Sequence, residues 1–270
     1  MPESTLRAVS EELIELAANG HTAPQFSTRH PALDAELGYR AMRRLHQHRL
    51  AIGWKPVGRK IGFTNRSIWP RYGVHQPIWG FVYDQTLVRA DRDHAEVALE
   101  GLPQPRIEPE ICFGLKAPPP RSHDAHAILA AIDWVAHACE IVQCFHPDWK
   151  VTLPDCTAAN GLHGRLVLGT QLPVAEIPDL EARLPAARVA LRRGKQTIDE
   201  GTGANVLDSP LYALAHLVEL LAIQPEFDQL HAGEIVSTGT WTDAHPVKPG
   251  ETWSTAFKGL GLPGLTVAFR

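Results

Sequence analysis

Two carboxylates, Glu108 and Glu110, alternate within an apolar run, Arg106-Ile107-Glu108-Pro109-Glu110-Ile111-Cys112-Phe113-Gly114-Leu115, and a third, Glu140, lies in Ala138-Cys139-Glu140-Ile141-Val142-Gln143. Acidic side chains are rarely buried unless something offsets the loss of their hydration. A strand over 107–115 would turn Ile107, Ile111, Phe113 and Leu115 one way and Arg106, Glu108, Glu110 and Cys112 the other. Extended geometry then sets the two glutamates roughly 6.5–7 Å apart at the backbone, close enough for their side chains to converge. With Glu140 added, the three could hold one hard divalent cation and leave positions for water and a bidentate ligand. Oxygen-only ligation favours Mg²⁺ or Mn²⁺ over zinc. The same pattern also fits a solvated strand face salted by Arg106, and the residues alone leave both readings open.

Lys60 is the candidate cationic group. In Lys60-Ile61-Gly62-Phe63-Thr64, strand periodicity puts Lys60, Gly62 and Thr64 on one face and Ile61 and Phe63 on the other. Gly62 would permit close approach of a ligand. Lys60 could pair with an anionic substrate, and a nearby metal charge would depress its pKa towards proton transfer. As an ordinary surface lysine it would only lay its stem along apolar neighbours. Asp155 and Asn160 read equally as parts of a loop closing the site or as turn residues. His245, after Thr242-Asp243-Ala244, is a candidate proton-transfer residue. The remaining histidines form no recognised metal spacing; His123 and His126 sit at a loop-to-helix junction and read as solvated. No Gly-x-Ser-x-Gly elbow is present, and Gly201-Thr202-Gly203 lacks the rest of a dinucleotide fingerprint.

The elements that must carry these residues start with two helices. Leu6, Val9, Leu13, Leu16 and Ala17 predict a helix over 5–20, and Leu33, Leu37, Ala41, Leu45 and Leu50 another from about 31 to 53, with a loop over 22–29. Strands are predicted over 60–64, 79–88 and 107–115. A Pro-rich turn over 116–124, with Ser122 as cap, leads to a helix over 124–138 striped by Ile128, Ile132 and Val135. A strand over 140–145 then carries Glu140. A strand pair, 186–191 with 196–199, flanks Arg193-Gly194. Ser209-Pro210 opens a helix, and short strands at 234–239, 251–257 and 264–269 close the chain. The division is a helical region over 1–56 and a strand-rich metal-binding domain over 57–270.

Composition narrows the class. The 270 residues, 44% of them hydrophobic, suffice for a sizeable core. A net charge of −4 with no basic block longer than Arg43-Arg44 or Arg192-Arg193 gives no nucleic-acid track. The start has no signal-peptide pattern, and no apolar run approaches the roughly 20 residues of a membrane span. The 4 cysteines form no two-residue-spaced pair and read as reduced core residues of a cytoplasmic protein.

Taken together, Gly58-Arg59-Lys60-Ile61-Gly62-Phe63-Thr64, Pro105-Arg106-Ile107-Glu108-Pro109-Glu110, Cys139-Glu140-Ile141-Val142, Asp155 with Asn160-Gly161, Val167-Leu168-Gly169, Asp208-Ser209-Pro210 and 232–240 resemble the fumarylacetoacetate hydrolase superfamily. The nearer branch is that of the 2-oxopent-4-enoate hydratases and 4-oxalocrotonate decarboxylases. The resemblance implies an α+β fold, a mixed β-roll with an N-terminal helical region. It also implies a Glu108, Glu110 and Glu140 metal triad with Lys60 beside it, and a small 2-oxo or dienol acid whose 2-oxo and carboxylate oxygens chelate the cation. A homo-oligomer follows as well, with association with another enzyme of an aromatic-catabolic pathway. The implied reaction is hydration of a 2-hydroxy-2,4-dienoate to a 4-hydroxy-2-oxo acid. Its rivals are decarboxylation of an oxalocrotonate-like diacid, carbon–carbon hydrolysis of an acylpyruvate, and a non-catalytic assembly subunit. One departure stands out: where hydratase-type relatives commonly have an Asp in a Pro-Asp-aromatic-Gly stretch, this chain has Pro77-Ile78-Trp79-Gly80. Ile78, Trp79 and Phe81 would suit an apolar substrate tail, although Trp79, Phe81 and Trp241 fit core packing equally well. A second substrate carboxylate would need a basic partner that the linear sequence does not single out.

Overall fold

The computed structural model describes residues 3–270, the side chains of residues 71 and 72 excepted. Three helices come first: α1 (Glu3–Asn19), α2 (Phe26–Arg29) and α3 (Ala35–Ala51). There follow β1 (Pro56–Gly62), α4 (Trp69–Tyr72), β2 (Ile78–Tyr83), β3 (Leu87–Arg89), β4 (His94–Val97), β5 (Arg106–Leu115), α5 (Ala125–Leu129) and β6 (Ile132–Val142). The second half contains α6 (Leu153–Ala158), β7 (His163–Pro173), α7 (Leu180–Ala186), β8 (Arg188–Arg193), β9 (Gln196–Thr202), α8 (Pro210–Ala222) and the strands β10 (Ile235–Ser237), β11 (His245–Pro246), β12 (Thr252–Lys258) and β13 (Thr266–Phe269).

The strands form two mixed sheets. One runs β2-β1-β10-β5-β6-β7-β3 with β11 added on β5; the other runs β4-β13-β12-β8-β9. Strands β1 and β10 pair parallel, whereas β10, β5, β6 and β7 pair antiparallel in turn. This is the mixed α+β architecture expected. Helix α8 buries Leu211, Leu214, Leu217 and Leu221 in a core shared with Trp79, Phe81, Phe113 and Trp241. The N-terminal helices bury Leu13, Leu37 and Leu45 against Phe145, Cys156 and Leu162.

Several expectations change. Helix α3 starts at Ala35 because Asp34 caps it, accepting from the Leu37 N–H at 2.8 Å, and a single helical turn occupies part of the expected 22–29 loop. The helix expected over 124–138 stops after Leu129, capped by Asp124 rather than Ser122. Residues 132–142 instead form β6, paired on both edges. A strand buried on both faces has no alternation, so its apolar spacing imitates a helix. The 79–88 region is two strands separated by a turn that Thr86 closes on Tyr83. Strand β1 ends at Gly62. Phe63 takes a positive φ of 56°, which breaks the alternation expected there.

Residues Asn160, Gly161 and Leu162 are three consecutive left-handed positions, with φ of 55°, 63° and 64°. The Asn160 amide pins this segment to β2: its Oδ1 accepts from Phe81 N–H at 2.7 Å and its Nδ2 donates to Phe81 C=O at 2.9 Å. Asn160→Ala would leave both buried backbone groups of Phe81 unpaired. The expected cost is about 2–4 kcal/mol, read as a lower urea midpoint; an unchanged midpoint would remove this pin from the account.

Candidate active site

Glu108 and Glu140 face each other directly across the β5–β6 ladder, and Glu110 is one pleat further along the same face of β5. Side chains so opposed have Cβ atoms about 4.5–5.5 Å apart, and like charges there repel. One carboxylate oxygen from each of the three lies within 4.8 Å of the others. Burial first, then the neighbouring glutamates, push Glu110 well above the ordinary carboxylate range. Burial raises Glu108 to about 7, although Lys60 opposes the shift. For Glu140 burial acts in the same upward direction, but Lys60 and His163 outweigh it and hold this carboxyl low.

Lys60 is buried, and its Nζ lies 3.0 Å from Glu140 Oε2 and donates to Gly161 C=O at 2.9 Å. Burial disfavours its charge, but Glu140, Glu108 and Glu110 outweigh burial and hold Lys60 above its ordinary value. The left-handed run creates this contact by turning the Gly161 carbonyl to the lysine. A Cβ on Gly161 would come within 3.2 Å of the Lys60 stem.

Further groups hold the glutamates in place. His163 Nδ1 is 2.7 Å from Glu140 Oε1, and its Nε2 is 2.8 Å from Thr86 Oγ1. Glu110 Oε2 accepts from Ser237 Oγ and from Gly239 N–H, the latter at 2.9 Å. Glu110 Oε1 is buried with no hydrogen-bond partner among the described residues. An oxygen-only trio with one oriented member, one unsatisfied buried oxygen and one part-exposed member suits a hard divalent cation.

A cavity of about 780 Å³, its open mouth included, lies over Lys60 and Glu108. Gly62, Ile78 and Leu162 give it apolar wall, while Arg106, Trp149 and Asp243 line its more exposed part. The structure therefore brings together Lys60, Glu108, Glu110 and Glu140. It does not bring Asp155 or His245 into the cavity lining. Asp155 accepts from Ser27 N–H and Oγ at 2.9 and 2.7 Å and from Thr152 N–H and Oγ1 at 2.9 and 2.7 Å. It joins the start of α6 to α2. Of the expected closing loop, only Gly161 and Leu162 reach the lining. His245 Nε2 sits 2.8 Å from Asp199 Oδ2, behind the lining residues Thr242, Asp243 and Ala244. Trp79, Phe81 and Trp241 are core residues, and the Trp79 indole N–H donates to Gln224 at 2.8 Å. Sequence reasoning missed His163 and Arg106. No spacing signals His163; Arg106 was visible two residues before Glu108 on the same face.

The fumarylacetoacetate (FAA) hydrolase C-terminal family matches residues 69–268. The chain belongs to the fumarylacetoacetate hydrolase family. Among curated family members, a 4-oxalocrotonate decarboxylase of a Pseudomonas species is 31% identical over 255 residues, covering 94% of this chain and 93% of that protein. A 2-hydroxyhexa-2,4-dienoate hydratase of Comamonas testosteroni is 31% identical over 258 residues, covering 93% of each. Among solved structures of the family, 4-oxalocrotonate decarboxylase from Pseudomonas putida, complexed with magnesium and adipate, superposes with a TM-score of 0.90 at 27% identity, over 100% of this chain and 99% of that one. No helix among the described residues is long and apolar enough to cross a membrane.

Two predictions follow from the trio. Mg²⁺ should raise the melting temperature of the wild-type protein by mass action, and Glu110→Gln should weaken Mg²⁺ binding at least tenfold by calorimetry while the chain still folds; equal Mg²⁺ stabilisation of both proteins would remove Glu110 from the ligand set. His163→Ala should lower metal affinity roughly 10–100-fold, the usual effect of losing a partner that orients a ligand. His163→Asn, which keeps a donor near the Nδ1 position, should lose less.

Proposed function

We propose that this protein catalyses the metal-dependent hydration of a small 2-hydroxy-2,4-dienoate, or its 2-oxo tautomer, to a 4-hydroxy-2-oxo acid. The observation that carries the reading is the convergence of Glu108, Glu110 and Glu140 beside a charged Lys60 on the wall of a partly apolar cavity. A divalent cation, Mg²⁺ or Mn²⁺, would be held by the three glutamates. When bound, it supplies Lewis-acid stabilisation of negative charge on the substrate's C2 oxygen.

The chain's own residues supply the rest. Lys60 places a fixed positive charge beside the trio, where it receives the substrate's carboxylate or 2-hydroxy oxygen. His163 holds Glu140 in one orientation; Ser237 and Gly239 do the same for Glu110. Ile78 and Leu162 offer apolar wall to the carbon chain. In the reaction the 2-hydroxyl loses its proton and C5 gains one, which moves the double bond to C3–C4 beside the ketone. Water then delivers hydroxyl to C4 and a proton to C3. Asp243, a lining carboxylate outside the trio, is the candidate to orient that water.

The whole-chain likeness to a decarboxylase at a TM-score of 0.90 supports a second reading. Here a 2-oxo-3-enedioate loses its distal carboxyl as carbon dioxide, and the electron pair passes to the same C2 oxygen. Subunit assembly into a homo-oligomer and residence in the cytoplasm complete the proposal, on the resemblance to the branch.

The test is a panel of 2-hydroxy-dienoates and unsaturated 2-oxo diacids with Mg²⁺ or Mn²⁺, products separated by mass. Hydration should add one water and disappear in chelator and in Glu110→Gln. Lys60→Ala should cut turnover in protein that still folds, with a lowered melting temperature because Glu140 loses its buried counter-charge. Carbon dioxide release with no hydrated product would transfer the proposal to the second reading, and inactivity on the whole panel despite metal binding would end both.

A further inference from the structure

Helix α8 turns Leu214, Leu217 and Leu221 into the core. At about 100° per residue, its residues Tyr212, His216, Glu219 and Ile223 fall in one narrow stripe on the opposite side. Four large hydrophobic side chains stand exposed among the described residues, and two of them belong to this stripe: Tyr212 at 42% and Ile223 at 68%. They occupy its two ends, about 16 Å apart along the helix. Between them lie His216 and Glu219, both half-buried. A single exposed apolar side chain is ordinary on a folded protein. Two of them, placed symmetrically about a polar centre, are not.

The stripe reads the same from either end: apolar, polar, polar, apolar, at spacings of four, three and four residues. Laid antiparallel on a copy of itself, about a two-fold axis between Leu217 and Val218, it sets Tyr212 against Ile223 of the second copy and His216 against Glu219 of the second copy. Each contact is then made twice, as an isologous interface requires. The polar centre is complementary. Glu219 Oε1 lies 2.8 Å from His123 Nε2, which leaves its other oxygen for a second donor. His216 Nε2 turns inward, buried with no partner among the described residues, which leaves Nδ1 for the carboxylate across the axis. A groove of about 1040 Å³, its open mouth included, lies beside Tyr212 with Leu129, Val174 and Leu180 in its lining. Antiparallel pairing brings the exposed Ile223 of one copy to this groove of the other. Parallel pairing would instead oppose Glu219 to Glu219, a juxtaposition of like charges, and would carry Ile223 away from the groove.

We infer that α8 forms a two-fold contact between two copies of this chain, packed antiparallel through Tyr212, His216, Glu219 and Ile223. An unrelated partner has no need to match the inversion of the stripe, whereas a second copy matches it by symmetry. The inference rests on the proposed homo-oligomer and gives it one contact and the symmetry of that contact; it is independent of the reaction catalysed.

Engineered cysteines read the pairing directly, because the native cysteines Cys112, Cys139, Cys144 and Cys156 are all buried. The double variant Tyr212→Cys with Ile223→Cys, oxidised with copper phenanthroline, should run on a non-reducing gel as a covalent dimer of the 29.7 kDa chain. Either single variant should stay uncrosslinked, since its two new cysteines would stand about 16 Å apart along the paired helices, beyond the reach of a disulfide. In light scattering at micromolar concentration, Ile223→Asp should halve the mass of the wild-type assembly; the position is exposed, so the chain itself keeps its fold. No cross-link in the double variant, or equal cross-linking of a single variant, overturns the α8 contact. A multi-chain mass that Ile223→Asp leaves unchanged overturns it too. With a multi-chain wild type, each of these results leaves the homo-oligomer standing through another face. A wild type of single-chain mass overturns the homo-oligomer and the contact together.

Discussion

Three carboxylates crowded at this spacing, Glu110 and Glu140 buried and Glu108 partly so, cannot all be charged without compensation, and the surrounding structure is organised around that constraint. Like charges opposed across a ladder repel, and burial removes the water that would screen them. Lys60 compensates one charge through Glu140. His163 fixes the other oxygen of the same carboxylate and is anchored through Thr86 to the Tyr83 backbone. Glu110 is left with two donors on one oxygen and, among the described residues, none on the other. The shortness of β10 belongs to the same arrangement. It ends at Ser237, and the chain beyond it brings Gly239 N–H to the carboxylate. A site built this way is poised for a cation because its own groups leave the charge incompletely balanced.

The alternation of β5 made the shared face of Glu108 and Glu110 legible, since a half-polar strand has a period of two whichever partners it finds. The register of Glu140 opposite Glu108 was not legible, because pairing between distant segments leaves no local trace. The expected helix over 124–138 failed for a related reason: β6 is buried on both faces, and its apolar spacing carries no strand signature. Periodicity placed Lys60 and Thr64 on one face. It could not foresee the positive φ at Phe63, which lets Ile61, Gly62, Phe63 and Thr64 all reach the cavity.

Polar residues that looked equally chemical in sequence separate once their partners are seen. Asp155 has four accepted hydrogen bonds from Ser27 and Thr152, and it ties the helical region to the segment leading to Asn160. His245 and Asp199 brace the residues behind the 242–244 rim, Asp199 also accepting from Asp243 N–H. Such residues act on the cavity through the backbone they hold. Arg106 presents the opposite case: a residue of the cavity wall seated on the Trp149 ring, with no ion pair among the described residues.

The trio is local in the chain, and the groups that compensate it are not. Glu108, Glu110 and Glu140 all come from the adjacent strands β5 and β6, whereas Lys60 and Ser237 arrive with β1 and β10, which pair across most of the chain. A hairpin closing early brings three negative charges together before their lysine is in place, because local contacts form ahead of distant ones. The folding barrier then contains an electrostatic part that a divalent cation removes. In stopped-flow refolding, Mg²⁺ should therefore raise the refolding rate as well as slow unfolding. A cation that slowed unfolding alone would place assembly of the β5–β6 pair after the barrier.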